Sequence, residues 1–406
     1  MRILVQKFGG TSVATPEGRL AVLGRIREAL AEGFSPVVVV SAMGRAGDAY
    51  ATDTLIGLAS TGAVPPGARE MDLIKACGEI ITTVVMVAAL KSAGHDSAGF
   101  TGGQAGIYTD HEYGNARILE VRPDAVLKAL QAGKVAVVAG FQGMTADGEI
   151  TTLGRGASDT TAAALGVALH AEIIEIFTDV DGVMTADPRL VPKARSMSSM
   201  TYTELCEMAH LGAKVVHPRA VEIAMEGRVP LRIRSTFSGS AGTLVTDGRP
   251  GAGTEIKSDR VVTGLTHIAR VALVKIISAE DVNATGKVVE IFASMAADGI
   301  SVDMIHVTPL HVNFIVQEEK LSRAVEILQN LGLSVETQTD VAKVSVVGAG
   351  MRGVPGVMAR VVRGLNKAGI TILQSTDSHT NISCLVRASD MSRALEALHE
   401  EFCLGG

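Results

Sequence analysis

The last third of the chain contains an internal repeat, which restricts its fold more than any other feature of the sequence. The stretch that begins "ALVKIISAE" aligns with the one that begins "AKVSVVGAG" without a gap, at a constant offset of 70 residues. Each copy has the pattern of a strand, a glycine-containing loop, a helix, two strands and a helix. Solenoid repeats are shorter, about 20–50 residues. The sequence therefore predicts two tandem α+β modules.

The first 245 or so residues have a different pattern, in which short apolar runs alternate with amphipathic, alanine-rich stretches. The strand candidates are "ILVQKF", "SPVVVVSAM", "KVAVVAGF" and "AEIIEIFTDV". Uninterrupted apolar strands that alternate with helices are typical of a mainly parallel sheet covered on both faces. Ligands of such sheets bind beyond the carboxyl ends of the strands. We therefore expect the functional residues at that edge.

The boundaries of these regions follow from composition and periodicity. Residues 247–259, "DGRPGAGTEIKSD", are rich in Gly, Pro and charge and indicate a linker. We therefore expect a first domain at 1–246 and modules at 260–335 and 341–406. In the first long helix candidate, the 3.6-residue period predicts a buried face, and Gly33 a C-terminal stop. That face comprises Leu20, Leu23, Ile26 and Leu30.

Charge and composition argue against several classes of protein. A net charge of −6 and a pI near 6.0 disfavour a nucleic-acid-binding surface. Lys7 and nearby glycines interrupt any secretory signal, and "TTVVMVAAL" is too short to span a membrane. The four cysteines have no C-x-x-C spacing, so we expect reduced, mostly buried thiols in a cytoplasmic protein.

The motif "KFGGTS" follows the first strand. Gly9 and Gly10 would let backbone amides approach an anion closely, and Lys7 would add a point charge toward phosphate oxygens. The alternative is a plain tight turn beside a solvated lysine. The motif alone does not separate the two interpretations.

The motif "TTLGRGASDTTAAALG" at 151–166 precedes a helix. Ser158 as an N-cap and Asp159 in the first turn would be explained by helix stability alone. Capping does not explain Arg155 between two glycines, whereas recognition of a carboxylate or phosphate does. We therefore favour a binding role for this segment.

The third segment, "FTDVDGVMTADPRLVP" at 177–192, is an acidic loop after a buried strand. It would be ordinary surface in isolation. Beyond a strand, it is also where a nucleotide would lie. It lacks the ligand spacing of zinc or EF-hand sites, so any Mg²⁺ would arrive with a nucleotide rather than on protein ligands.

Other polar residues complete the candidates. Glu79 lies in an apolar helix, where an unpaired carboxylate is costly, so it either meets a basic partner or faces a polar ligand. "SAMG" ends a strand at 41–44, and Thr52 and Asp53 follow in a polar loop. Lys214 is either a solvated helix lysine or a ligand contact. Neither His210 nor His217 has a visible nucleophilic partner.

Taken together, these motifs resemble the aspartate kinases of the amino acid kinase superfamily. The segments that carry the resemblance span nearly the whole chain: "VQKFGGTSV", "VVVVSAMG", "REMDLIKACGE", "GFTGGQAG", "VAGFQG", "TTLGRGASDTTA", "FTDVDGVMTADPR", "GAKVVHPRAVEIA" and "VPLRIRSTFS". The resemblance implies a three-layer αβα kinase domain with a mainly parallel sheet. It also implies that the repeat forms two ACT modules of βαββαβ order.

The resemblance assigns roles to individual residues. Catalytic roles fall on Lys7, Arg155 and Asp159. Nucleotide contacts fall on Lys7, Phe8, Gly9, Gly10, Ser41, Ser158, Thr178, Asp179, Met184, Thr185, Ala186, Asp187, Pro188, Arg189 and Lys214. Aspartate contacts fall on Thr52, Asp53, Glu79, Arg155, Gly156, Ala157 and Ser158. The chain departs from the common pattern in a longer loop between Gly44 and Thr52, which leaves the aspartate-contacting threonine open, and in Ala157, where glycine is common.

The implied reaction is transfer of the γ-phosphoryl group of MgATP to the β-carboxylate of L-aspartate, giving 4-phospho-L-aspartate for lysine, threonine, methionine and diaminopimelate biosynthesis. A carboxylate is ionised at neutral pH, so no strong base is needed and positioning with charge neutralisation carries catalysis. Mg²⁺ would bridge the phosphates, with no metal ligand from the protein.

The repeat implies feedback regulation by an end-product amino acid and homo-oligomer formation through the ACT modules. The candidate effector contacts are Asn283, Thr285, Ser301, Asp303, Val357, Met358, Thr371, Ile372, Ser378 and His379. Lysine, threonine and diaminopimelate are all open as effectors. The extended segment "SAMGRAGDAYATD" is similar to that of diaminopimelate-sensitive isozymes.

Two other functions compete with this one. A kinase of the same superfamily could act on another small carboxylate, such as N-acetylglutamate, or on a nucleotide. A non-catalytic amino-acid sensor could use the two modules to control a partner. Arg155 and Glu79, together with the downstream ACT-like pair, favour a free amino acid. The joint presence of Lys7, Asp159 and Lys214 argues against a sensor.

Overall fold

The computed structural model describes residues 1–62, 64–154, 156–248, 261–277, 286–351 and 353–405. The chain forms two compact units. The first comprises Met1–Val183, Ser196–Ala209 and Lys214–Glu255. The second comprises Met184–Arg195, His210–Ala213 and Ile256–Gly406. Of the predicted linker 247–259, only residues 247 and 248 are among the described residues.

The amino-terminal part of the chain, up to residue 246, alternates strands and helices. Its strands are β1 (Arg2–Phe8), β2 (Phe34–Val40), β3 (Ser97–Phe100), β4 (Ile107–Thr109), β5 (Ile118–Val121), β6 (Val135–Ala139), β7 (Gln142–Met144), β8 (Ile150–Thr152), β9 (Ile173–Thr178), β10 (Ser199–Thr201), β11 (Leu231–Ser235) and β12 (Thr243–Thr246). Its helices are α1 (Gly10–Val13), α2 (Pro16–Ala31), α3 (Thr52–Ala59), α4 (Ala68–Ser92), α5 (Asp124–Gln131), α6 (Ser158–Ala168), α7 (Tyr202–His210) and α8 (Pro218–Gly227).

The central sheet of the first unit has eight strands in the order β10-β12-β11-β9-β1-β2-β6-β3. Every neighbouring pair is parallel except β11 and β12. The four predicted strands are β9, β1, β2 and β6, the four contiguous strands in the middle of the sheet. Their apolar runs are buried on both faces, as the 0% exposure of Val37, Val38, Val39 and Val40 shows. The α/β fold class with a mainly parallel sheet is confirmed.

Helix α2 packs most of the predicted stripe against the core, with one exception. Thr15 caps the helix by accepting a hydrogen bond from the Gly18 amide. Leu23 and Ile26 are buried as predicted, but Leu20 is 67% exposed and the prediction for it is wrong. The core face instead continues through Val22 and Ala29.

Helix α4 is longer than its apolar run suggested. With 25 residues it is long and apolar enough to cross a membrane by length and composition. Its Met86 and Leu90 are fully buried in a core shared with α2 and the central sheet. The same helix also buries Asp72 and Glu79. This is the burial pattern of a core helix. The two buried carboxyl groups are described with the candidate site below.

A second, four-stranded sheet, in the order β5-β4-β7-β8, occupies residues 107–152. The sequence did not predict it, because its strands have only three or four residues each. Such short strands show little periodicity.

The second unit contains one six-stranded sheet, in the order β14-β15-β13-β16-β18-β17. Its strands are β13 (Gly264–Ile277), β14 (Asp303–Val307), β15 (His311–Gln317), β16 (Ser334–Val347), β17 (Gln374–Asp377) and β18 (Asn381–Arg387). Its α-helices are α9 (Lys287–Ala297), α10 (Leu321–Asn330), α11 (Val357–Lys367) and α12 (Met391–Glu401). The strand and helix order within both copies agrees with the predicted pattern.

The long strands β13 and β16 serve both modules. Residues 271–277 of β13 pair with β15 of the first module. Residues 264–268 of the same strand pair with 343–347 of β16, and Val262 and Leu265 lie in the core of the second module. The second module therefore takes a strand that precedes the first module, which a repeat alignment does not reveal.

All four cysteines are free thiols, and Cys77 and Cys403 are exposed. The prediction that the thiols are mostly buried is therefore wrong. Exposed and free thiols remain compatible with a reducing compartment.

Candidate active site

A cavity of about 480 Å³ lies at the carboxyl edge of the central sheet, entirely within the first unit. It brings together residues from β1, the loop after β2, α3, α4 and the start of α6. The predicted site residues that line it are Lys7, Gly10, Ser41, Thr52, Asp53, Glu79, Gly156, Ser158 and Asp159. The cavity is where the strand pattern predicted a ligand site.

The glycine turn packs tightly against the segment that follows β2. A Cβ atom on Gly10 would lie 2.4 Å from the Ala42 carbonyl oxygen and 3.0 Å from that of Gly44. The Gly44 amide donates to the Gly10 carbonyl at 3.2 Å, and the Ser41 amide donates to the Phe8 carbonyl at 3.2 Å. Glycine is therefore required for this close approach, which forms one wall of the cavity.

Lys7 is an ion-pair partner inside the cavity rather than a solvated lysine. Its Nζ lies 2.7 Å from Asp159 Oδ1, and the two side chains are only 13% and 9% exposed. The other Asp159 oxygen accepts a hydrogen bond from the His217 backbone amide at 3.0 Å. The pair joins the end of β1 to the first turn of α6, and places an ammonium with spare donors beside the cavity.

Helix α6 begins at Ser158, with Ala157 as its N-cap and no side-chain cap hydrogen bond. The capping explanation for Ser158 is therefore wrong. Ser158 lines the cavity instead, and Asp159 follows in the first turn. Ala157 is buried against Phe141 and Leu153 and does not line the cavity. Arg155 lies outside the described residues.

Glu79 is a buried carboxylate on the cavity wall. Its Oε1 accepts a hydrogen bond from the Ala42 amide at 3.0 Å. Its Oε2 is buried without a hydrogen-bond partner, and the residue is 3% exposed. Burial raises the pKa of Glu79 from 4.5 to about 8. Among the described residues no basic side chain pairs with it, so a polar ligand is the favoured partner.

The other nucleotide candidates do not line this cavity. Thr178 ends β9 and donates to Asp179 at 3.2 Å, and Asp179 forms an exposed ion pair with Arg45 at 3.4 Å. Arg45 itself lines the cavity. Lys214 is exposed and does not line the cavity.

The segment from Met184 to Arg189 belongs to the second unit. Ala186 is 2% exposed in the core of the second module, and Thr185 hydrogen-bonds with His399 at 3.0 Å. Asp187 pairs with Arg189 at 2.7 Å, and this guanidinium holds the pKa of Asp187 below its usual range. Pro188 lies between them. Ala186, Thr185 and Asp187 therefore make contacts within the second unit that explain their positions without a nucleotide.

Sequence reasoning assigned no role to several residues of the cavity lining, among them Lys75, Gly114, Phe141 and Arg45. It also missed Asp72, which is fully buried behind them. The signal for Asp72 was present, because a carboxylate inside an apolar helix requires partners. Two of its partners could not be seen in the sequence, because Thr152 lies on the small second sheet and Gly114 on a loop between two strands of that sheet.

The effector candidates lie in the second unit, except that Asn283 and Thr285 are outside the described residues. Val357 and Met358 start α11, and Thr371 and Ile372 precede β17. Ser301, Ser378 and His379 are exposed and lie outside the helices and strands. Asp303 is engaged by the buried Lys343, with a distance of 2.5 Å between the charged atoms.

The fold and the cavity define a kinase-type α/β unit followed by paired regulatory-type modules, and comparison with known proteins agrees. The model of the amino acid kinase family matches residues 2–235, and that of the ACT domain matches residues 336–400. Aspartokinase 1 of Bacillus subtilis (strain 168) is 48% identical over 404 residues, covering 99% of each chain. The aspartokinase of Geobacillus stearothermophilus is 41% identical over 410 residues, covering 100% of this chain and 98% of the other. This chain belongs to the aspartokinase family.

Solved structures give the same result. Escherichia coli aspartokinase III in complex with aspartate and ADP (R-state) has a TM-score of 0.82 at 26% identity, covering 98% of this chain and 99% of that one. The same enzyme in complex with lysine and aspartate (T-state) has a TM-score of 0.78 at 25% identity, with the same coverage.

Proposed function

We propose that this chain transfers the γ-phosphoryl group of MgATP to the β-carboxylate of L-aspartate, yielding 4-phospho-L-aspartate. The observation that carries the proposal is the Lys7–Asp159 pair, which lies in one cavity with the unpartnered Glu79 carboxylate oxygen. The transferred phosphoryl group needs a cation, which Lys7 provides. The ammonium of the amino acid needs a carboxyl group nearby, which Glu79 provides. The aspartokinases with which the chain aligns support the same activity.

Lys7 stabilises charge on the phosphoryl oxygens during transfer. Its ammonium has three donors and is ion-paired with Asp159. Because the pair is nearly buried, these donors act in a low-dielectric setting, where charge stabilisation is stronger than in water. The backbone amides of Gly9 and Gly10 and the side chain of Ser41 form the rest of the phosphate wall.

The acceptor needs positioning rather than deprotonation, because its carboxylate is ionised at neutral pH. Glu79 receives the ammonium group of aspartate, Arg155 receives the α-carboxylate, and Thr52, Asp53 and Ser158 complete the walls. With these groups fixed, the β-carboxylate oxygen lies in line with the terminal phosphorus. The leaving group is ADP, and the new bond is an acyl phosphate.

The donor set of the cavity fits a metal that enters with the nucleotide. An ammonium and backbone amides suit phosphate oxygens, and the buried Asp159 carboxylate is already ion-paired with Lys7 and accepts from the His217 amide. When bound, Mg²⁺ neutralises charge on the phosphates. The nucleotide side includes Phe8, Thr178, Asp179, Met184 to Arg189 and Lys214.

The two modules sense an end-product amino acid, with lysine, threonine and diaminopimelate as candidates, and hold the chain in a homo-oligomer. The contacts are the ten effector candidates named from the sequence. E. coli aspartokinase III, which shares this fold, has been solved with lysine. We place the protein in the cytoplasm, where ATP and aspartate are available.

Turnover of ATP, measured by coupled ADP release, tests the proposal. Aspartate, N-acetylglutamate and a nucleoside monophosphate are compared as acceptors, with and without each effector candidate. We expect turnover with aspartate alone, lowered cooperatively by one effector. Turnover with another acceptor would assign a different kinase, and amino-acid binding without turnover would indicate a sensor. No response to any effector would leave the modules with only an assembly role.

A further inference from the structure

The charged residue Lys75 lies on the wall of the cavity without any role in the scheme above. It is on α4, one helical turn before Glu79, and its side chain is 21% exposed. Four residues of α-helix rise about 6 Å, so both side chains lie on the same face. An ammonium and a carboxyl group at this spacing are complementary to the opposite charges of an α-amino acid, whose own ammonium would favour the ionised form of Glu79.

Lys75 and Glu79 do not neutralise one another. Lys75 Nζ donates to Asp72 Oδ1 at 3.1 Å, toward the previous helical turn. Glu79 accepts from the Ala42 amide, and its second oxygen is buried without a partner. Both groups therefore keep hydrogen-bonding capacity for a ligand, since Lys75 has two further donors and Glu79 a free oxygen.

Asp72 fixes the position of Lys75. It is 0% exposed and accepts four hydrogen bonds, one of them from Lys75. The other three come from the Thr152 amide at 2.7 Å, the Thr152 hydroxyl at 2.8 Å and the Gly114 amide at 2.8 Å. Asp72 thus ties α4 to β8 and to the loop at Gly114. A saturated, buried carboxylate of this kind holds an ammonium in place at little entropic cost.

We propose that Lys75, oriented by Asp72, binds the α-carboxylate of the amino-acid substrate, while Glu79 one turn further on receives its ammonium group. The proposal rests on the proposed aspartate kinase activity and adds a specificity-determining residue to it. Lys75 then shares the α-carboxylate with Arg155, and Asp72 is a positioning residue that does not touch the substrate.

The test compares Lys75→Met and Lys75→Arg with the wild-type full-length protein. β-Alanine is the probe, because it is aspartate without the α-carboxylate. We expect Lys75→Met to raise the KM for aspartate about 10- to 100-fold, with kcat within about threefold and the KM for ATP unchanged. We expect β-alanine binding, measured by calorimetry, to change less than twofold, and Lys75→Arg to recover most of the affinity for aspartate.

Lys91→Met is the matched control, because Lys91 is exposed at the end of the same helix. An unchanged KM for aspartate in Lys75→Met would overturn the inference, as would an equal loss of aspartate and β-alanine binding. A loss of kcat with an unchanged KM would place Lys75 at the reacting group instead. If wild-type protein turned over no aspartate, the proposed function would fail first, and calorimetry with aspartate would still test the Lys75 contact.

Discussion

Lys7 Nζ lies 2.7 Å from Asp159 Oδ1, and this contact joins the end of the central strand β1 to the first turn of α6. Both side chains are nearly buried, so neither charge can be removed without leaving the other uncompensated. The same ammonium is available to the cavity. One contact therefore links the stability of the site to its chemistry.

Replacing Lys7 by Ala should lower kcat by roughly 10³-fold, because a preorganised cation that faces the transferred phosphoryl group is lost. Steady-state kinetics with saturating aspartate and ATP measures the effect. The fold is checked by thermal unfolding, since Asp159 loses its partner.

The Arg155→Ala variant should affect a different kinetic parameter from Lys7→Ala. A residue that binds the α-carboxylate equally in the ground and transition states should chiefly raise the KM for aspartate. If Lys7→Ala kept near-wild-type turnover in a folded protein, the assignment of the phosphate wall would be lost.

Replacing Gly10 by Ala should impair ATP binding and destabilise the first unit by about 1–3 kcal/mol. The added Cβ would lie 2.4 Å from the Ala42 carbonyl oxygen, which is backbone and can move only with the whole turn. Urea unfolding and the KM for ATP measure the two effects. Gly24→Ala is the control, because no atom lies within 4 Å of its Cβ position on α2 and the helix should gain stability. Equal behaviour of both variants would contradict the close packing of the turn.

Glu79 should make the stability of the protein fall as pH rises. Its pKa in the folded protein is about 8, against 4.5 when exposed. The folded state therefore holds a proton that the unfolded state releases, and this preference is lost progressively between about pH 4.5 and pH 8. At higher pH the buried charge costs on the order of a few kcal/mol, since each unit of pKa is worth about 1.4 kcal/mol.

The Glu79→Gln variant removes this dependence. Its melting temperature should exceed that of the wild type by an amount that grows from pH 5 to about pH 8 and then stays constant up to pH 9. Differential scanning calorimetry across that range measures the difference. A constant difference at all pH values would show that Glu79 is ionised throughout.

The sequence predicted the centre of the first unit well because its four middle strands are buried on both faces and therefore continuously apolar. It also predicted Lys7, Glu79, Ser158 and Asp159 as site residues, through motifs that carry the resemblance. The sequence could not show that Lys7 and Asp159 form an ion pair. These two residues are far apart in the sequence, and the fold of the central sheet brings β1 and the start of α6 together.

Features that depend on tertiary context were missed. Leu20 fits the helical period but faces outward, since the period does not fix where the buried stripe ends. Thr152, a partner of Asp72, lies on a sheet whose strands are too short to show a pattern. Residues 264–268 pair with a strand of the second module. An alignment of the two repeat copies does not show which strands pair, so it could not predict this pairing.

Asp303 offers a prediction that separates a structural role from an effector contact. Its carboxylate lies 2.5 Å from Lys343 Nζ, and the Lys343 side chain is 4% exposed against 48% for Asp303. Asp303→Asn would leave a buried ammonium without its counter-charge, so we expect a loss of about 1–3 kcal/mol in the unfolding of the second unit. Because Asp303 is half-exposed, solvent screening keeps the loss below that of a fully buried pair.

The loss should be the same with and without lysine, threonine or diaminopimelate if the role of Asp303 is structural. Adding Lys343→Met to Asp303→Asn should recover most of the stability, because an apolar side chain of similar length suits the buried position. Ser301→Ala, at an exposed neighbouring position, serves as the control. Unfolding that is unchanged in Asp303→Asn, together with a weakened response to one amino acid, would instead make Asp303 an effector ligand whose pairing with Lys343 contributes little to the fold.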